Sequence, residues 1–255
     1  MSHAKNLAVK EAKGEILAFT DADTILPEDW LLRIKEVFQK HGCAALGGQV
    51  LPIWETEPPE WFMRETNNGN RCGVLSLWNG EEKGYYPVEK GTSFPTGCNS
   101  AVKKESFLKY GGYRFDLGVW PNLRLGGEET EFFYRIQIAG EKIFYHPPMM
   151  VYHQIPENRL TKQYLCWTSF MFRLSSLYLR SLCQTKERDK LLKNLLTLPK
   201  TLFKFILSGF STRLTTHSHF HYQIRLQNIF CDLGFRMFGL DKTVKLARIS
   251  GYIRR

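Results

Sequence analysis

The chain has 255 residues, 43% hydrophobic and 14% aromatic, enough apolar material for a packed core and too much for a disordered chain. Its formal charge of +10 is uneven: residues 1–158 hold 17 Lys and Arg against 21 Asp and Glu, and residues 159–255 hold 18 against 4. Six scattered cysteines without a Cys-x-x-Cys pair argue against a zinc knuckle or a secreted disulfide framework and make a reducing cytosol the default expectation.

The opening "MSHAKNLAVKEAKGE" is polar and lacks the apolar centre of a signal peptide. Its spacing predicts a helix over 4–12, with Leu7, Ala8 and Ala12 on one face and Gly14 as the stop. Residues 15–20 read as a strand. Pro27-Glu28-Asp29 opens a second helix over 30–41, with Trp30, Leu31, Ile34, Val37 and Phe38 on its apolar side. Residues 44–51 are strand-like, and residues 52–91 are rich in turn formers and expected to be irregular. "PTGCNSAVKKESFLKYGGY" predicts a turn or strand running into a helix from about Lys104. A Gly-Gly turn, a helix over 128–139 and a strand reaching His153 follow. Beyond Arg159, "LTKQYLCWTSFMFRLSSLYLRSL" and "DKLLKNLLTLPKTLFKFILSGF" read as helical, and the change in character sets a boundary near residue 158. No apolar run of 18 residues suggests a membrane span.

Three clusters carry chemistry. Asp21 and Asp23 follow the apolar run of the first strand, and two carboxylates at that spacing can reach one hard divalent cation, Mg²⁺ or Mn²⁺. Strand carboxyl ends are also where open α/β sheets bind ligands. The alternative is that Asp21, Asp23 or Thr24 starts the turn before the Pro27 helix. "GGEETEF" sets Glu128, Glu129 and Glu131 at a helix start, where the dipole favours acids and where crowding raises the pKa of one of them, as a general base requires. His153 in "VYH" reads either as a buried structural histidine or as an imidazole ligand beside Asp23.

"NLAVKEAKGEILAFTDADTILPEDWL", "PTGCNSAVKKESFLKYGGY", "GGEETEFFYRIQIAGEKIFY" and "VYH" together resemble, in order, a family 2 glycosyltransferase. The resemblance covers residues 5–153. It implies an α/β GT-A-like (Rossmann-like) mixed sheet with flanking helices, and inverting transfer of a sugar from a nucleotide-sugar donor to a glycan or lipid-linked acceptor. It places Asp21, Asp23 and His153 on a Mn²⁺ or Mg²⁺ ion, Glu129 as the base with Glu128 beside it, and Gly97, Asn99 and Ala22 against the substrates. Glu-Glu stands where the family more often has Glu-Asp. The family's first strand, its "PTYN"-like turn and the aspartate that contacts the nucleotide base have no counterpart, so an N-terminally truncated catalytic domain over 1–158 is expected. A non-catalytic remnant that binds membrane or a partner is the other reading.

Residues 159–255 are expected to be a basic, mostly helical region. Lys193, Lys200 and Lys204 stand among Leu and Phe with Pro199 as a kink, a pattern suited to an anionic membrane surface or to packing with snorkelling lysines. A cytoplasmic protein with peripheral contact on the cytoplasmic membrane face is the expectation. Nucleic acid is not an expected partner, because no recognised module accompanies the basic residues. His217, His219 and His221 read as a surface or linker tract.

Overall fold

The computed structural model describes residues 2–66, 71–80, 84–85, 95–120, 123–182, 198–202 and 216–249. It divides the chain into two units, one of residues 1–57 with 66–157 and one of residues 58–65 with 158–255.

The first unit contains helices α1 (Ser2–Glu11) and α2 (Trp30–Lys40) and strands β1 (Ile16–Phe19), β2 (Thr24–Ile25), β3 (Ala45–Gly47) and β4 (Val50–Trp54). After these come β5 (Arg71–Cys72), β6 (Leu77–Trp78), β7 (Gly84–Tyr85), β8 (Ser100–Lys103), and the ribbon of β9 (Gly118–Trp120) with β10 (Leu123–Leu125). It ends with β11 (Ile143–Tyr145) and β12 (Val151–Ile155). Between these strands lie the helices α4 (Lys104–Lys109) and α5 (Glu128–Ile138), and α3 (Glu60–Glu65) belongs to the second unit.

Two five-stranded mixed sheets form, in the orders β1-β8-β3-β11-β7 and β2-β12-β4-β6-β5. Each has one parallel pair, β3 with β11 and β4 with β12, and is otherwise antiparallel. This is the mixed α/β class with flanking helices that the sequence predicts. Three passes of the chain leave the first sheet and enter the second: β1 to β2, β3 to β4, and β11 to β12. All three crossings fall at the ends of first-sheet strands, and the chemistry-bearing residues collect there.

Two of the crossings correct the sequence reading, which saw one strand over 44–51 and one strand up to His153. Gly48 divides the first: a Cβ there would lie 1.6 Å from the Met149 carbonyl oxygen, so no side chain lets β3 turn off at that point. Pro147-Pro148 divide the second, since proline cannot donate to a ladder.

The core of the first unit lies between the first sheet and helices α1, α4 and α5. Val9, Leu17, Ala45, Val102, Phe107, Tyr113, Phe132, Phe133, Ile136 and Ile143 are buried there. Phe107, Tyr113 and Phe132 meet with ring centroids 4.9–5.4 Å apart, each pair worth about 1 kcal/mol beyond its buried area. Helix α2 buries Trp30, Ile34 and Val37, the i, i+4, i+7 stripe, while Leu31 stays exposed. Helix α1 departs from expectation: Leu7 and Ala8 are exposed, and the inward face is Ser2, Lys5, Asn6, Val9 and Ala12.

The second unit is built on α6 (Lys162–Leu182) and α7 (Thr216–Ile249) with α3. Arg173 reaches across to the buried Asp232 with two charge-assisted hydrogen bonds. The Lys162 ammonium sits 5.6 Å from the Trp61 ring centroid, whose ring meets Phe220 edge-on. His217, His219 and His221 begin α7 instead of forming a linker, and the His221 ring is 3.4 Å from Glu65. Lys193 and Lys204 lie outside the described residues; Lys200 is in a helical turn. Among the described residues no helix is long and apolar enough to cross a membrane.

Candidate active site

Strand β1 carries the chain from the core to Asp21, and a tight turn follows. The Thr24 amide and hydroxyl both donate to the Asp21 carbonyl, at 3.2 and 2.7 Å. The Gln154 amide on β12 donates to the Asp23 carbonyl at 2.9 Å, which ties the turn to the second sheet. Helix α2 begins only at Trp30, with Asp29 at its cap and the Asp29 carboxylate held by Arg33. Asp21, Asp23 and Thr24 therefore do not cap that helix, although Asp21 does start a turn before it, as the alternative reading has it. Ala22 is exposed between them.

His153 lies opposite Thr24 in the β2–β12 register and is buried. Its Nδ1 is 2.8 Å from the Leu75 carbonyl, which can only accept, so Nδ1 carries hydrogen. That leaves Nε2 facing the Asp23 carboxylate at 3.2 Å. A lone pair against a carboxylate requires a proton on Nε2 or a cation shared by both groups, and a ring hydrogen bonded to a carbonyl is the usual support of a metal-binding imidazole. The residues fit a divalent ion in this respect. Among the described residues no three His, Cys, Asp or Glu side chains gather into a protein-only metal cage.

Helix α5 starts at a left-handed Gly127 (φ 101°), which turns the chain so that three acids occupy the first turn. They divide in role. Glu131 is spent on Arg135, which grips both its oxygens, at 3.0 and 2.6 Å. Glu128 is buried, and burial together with the neighbouring charge of Glu129 pushes its carboxyl up to about 7. Glu129 accepts a hydrogen bond from the Lys5 ammonium at 2.9 Å. Its carboxylate lies so close to Gly97 that a Cβ there would be 2.1 Å from Oε1. Gly97 thus makes room for Glu129, where the sequence reading had placed it against substrate.

These groups share one field. Burial raises the Asp21 carboxyl, offset in part by Lys5, and Glu129, Asp23 and His153 also act on it. Burial would lower Lys5, but Glu129, Asp21 and Glu128 together more than offset it and the ammonium is held above its ordinary value. Burial pushes the neighbouring Cys98 thiol up to about 12, which leaves it without nucleophilic character at neutral pH.

Asn99 corrects a sequence expectation. It is fully buried; its Nδ2 donates to the carbonyls of Gln49 and Met149, both at 2.7 Å, and its Oδ1 accepts from Trp30 Nε1 at 3.0 Å. The side chain braces two of the sheet crossings and is out of reach of a sugar hydroxyl. Lys5 is the functional-site residue that the sequence reading missed, because the helix was read for its apolar face. A hollow of about 1020 Å³ lies over Ile16, Ala18, Ile34, Phe38 and Leu108 and contains none of the site carboxylates.

With the geometry in place, comparison with known proteins becomes informative. Residues 1–111 match the model of glycosyl transferase family 2. The succinoglycan biosynthesis protein ExoM of Rhizobium meliloti (strain 1021) is 29% identical over 171 residues, 67% of this chain and 50% of that protein. A glucosyl-dolichyl phosphate glucuronosyltransferase of Haloferax volcanii is 25% identical over 172 residues, 67% of this chain and 52% of that protein. The chain thus spans about half the length of the curated relatives it matches. Among solved structures, the mannosyltransferase PcManGT of Pyrobaculum calidifontis, in complex with GDP-Man and Mn²⁺, aligns with a TM-score of 0.45 at 13% identity. That alignment covers 98% of this chain and 59% of the other.

Proposed function

We propose that this chain carries the catalytic residues of a metal-dependent, inverting glycosyltransferase that moves a sugar from a nucleotide-sugar donor to a glycan or lipid-linked acceptor. The reading is carried by one observation. Asp21, Asp23, His153, Glu128 and Glu129 come from three distant stretches of sequence and act on one another at the strand ends of the first sheet. The two curated relatives, named for polysaccharide and lipid-linked glycan synthesis, support the acceptor class.

In this reading Glu129 accepts the proton of the acceptor hydroxyl while that oxygen bonds to the anomeric carbon. The carbon–oxygen bond to the diphosphate breaks at the same time, and the nucleoside diphosphate leaves with the bonding pair, so the configuration inverts. Asp23 and His153 would hold the divalent ion, with Asp21 adding its charge nearby, and the ion would supply positive charge against the departing diphosphate. Glu128, its carboxyl pushed up to about 7, carries only part of a second negative charge beside the base at neutral pH. Peripheral contact of residues 159–255 with anionic lipid belongs to the same proposal, on their 18-to-4 excess of basic residues; co-flotation of the chain with anionic vesicles is the expected result.

The test is transfer from a panel of nucleotide sugars to lipid-linked and free glycans with Mn²⁺, with the product anomer read by NMR. Metal-dependent transfer with inversion, lost in Glu129→Gln, is expected. A retained anomeric configuration, or full activity of Glu129→Gln, would overturn the assignment.

A further inference from the structure

Helix α1 has no catalytic motif, yet its inward face is polar. Asn6 clamps Tyr113 by its backbone, donating through Nδ2 to the carbonyl at 2.7 Å and accepting at Oδ1 from the amide at 2.9 Å. The Ser2 hydroxyl donates to the Leu117 carbonyl at 2.8 Å. These two anchors, with buried Val9, fix the helix in rotation and height on the core. The residue so aimed is Lys5. Its side chain runs past the Tyr113 ring, 5.7 Å from the centroid, and ends 2.9 Å from Glu129 Oε1. Both partners are largely shielded from water, with side-chain exposures of 14% and 16%. The same oxygen lies against Gly97, where a Cβ would stand 2.1 Å away. Lys5 also acts on Asp21 and Glu128, so one ammonium faces three acids.

We propose that Lys5 is a positioning residue for the reaction: its ammonium holds the Glu129 carboxylate against Gly97 in the orientation that receives the acceptor proton. The inference rests on the reading of Glu129 as the base. Without that contact the carboxylate would be free to rotate away from the neighbouring negative charges. The structure also separates this role from ordinary helix packing, which Asn6, Ser2 and Val9 already supply.

Two measurements test it. In the wild-type chain with ¹⁵N-lysine and ¹³C-glutamate labels, a through-hydrogen-bond coupling between Lys5 Nζ and the Glu129 carboxyl carbon is expected; its absence overturns the holding contact whether or not the chain transfers sugar. In transfer assays, Lys5→Gln is expected to lower kcat by about 10²-fold, the cost of misplacing a reacting group, with donor KM changed less than about threefold. Lys5→Arg should keep kcat within about fivefold, since it restores the charge. Equal loss in both variants, or loss confined to KM or to melting temperature, means that Lys5 is only structural or binds donor, and overturns the proposal. If wild-type chain transfers no sugar, the functional proposal fails, and the coupling alone decides whether Lys5 holds Glu129. If Lys5→Gln does not fold, the Lys5→Arg rate and the coupling still decide.

Discussion

Gly97→Ala isolates the contact between the turn before β8 and the proposed base. Gly97 is not in the left-handed region, so alanine fits its backbone and only the new methyl group matters. That methyl would stand 2.1 Å from Glu129 Oε1, 2.7 Å from its Cδ and 3.2 Å from its Cγ. Ordinary contact begins near 3.4 Å, so the carboxylate must retreat by about 1.3 Å. The Lys5 ammonium, 2.9 Å away, opposes the movement. Because the displaced atoms are the end of one side chain, the cost to stability should stay near 1 kcal/mol. A displacement of that size at a reacting group costs about 10²-fold in rate. The variant should therefore melt close to wild type, bind donor normally and lose about 10²-fold in kcat. A kcat within about threefold of wild type, in a folded variant, would refute the view that Glu129 works from its place beside Gly97.

Other substitutions test the frame. Asn99→Ala removes three hydrogen bonds and strands Trp30 Nε1 and the buried Met149 carbonyl, while the Gln49 carbonyl keeps the Val151 amide, so urea unfolding should show a loss of about 2 kcal/mol. Glu128 tests the electrostatics. With its carboxyl pushed up to about 7, the folded chain keeps a proton that the unfolded chain releases from about pH 4.5 upward, so stability falls as pH rises through this window and the full penalty stands above pH 7. At about 1.4 kcal/mol per pKa unit the penalty is about 3 kcal/mol. Glu128→Gln should accordingly stabilise the chain at pH 8 and flatten its unfolding free energy between pH 5 and 7; an unchanged pH dependence would count against the buried, proton-holding carboxyl.

The carboxylates were legible because their chemistry is written in short spacings. Asp21 and Asp23 follow an apolar strand, and three acids follow two glycines; both patterns survive in the structure. What stayed hidden was set by distant partners. Nothing local to Asn99 tells that a tryptophan from α2 and two carbonyls from the β3–β4 and β11–β12 crossings meet it. Gly97 looked like room for substrate because the glutamate that occupies the room lies about thirty residues on. Lys5 was invisible for a related reason: a helix facing a charged site turns its polar residues inward, and a search for apolar stripes selects the wrong face. Strands β3 and β4 merged into one because the carbonyl of Met149 that forces the break at Gly48 is a hundred residues away.

The account turns on whether Asp23 and His153 receive a metal-bound diphosphate at the end of β1. Calorimetric titration of nucleoside diphosphates and nucleotide sugars into the chain, with and without Mn²⁺, tests this most directly. Binding that requires Mn²⁺ and falls at least tenfold in both Asp23→Ala and His153→Ala, with each variant folded, is the predicted result. Equal binding without metal, or binding unchanged by both substitutions, would contradict it.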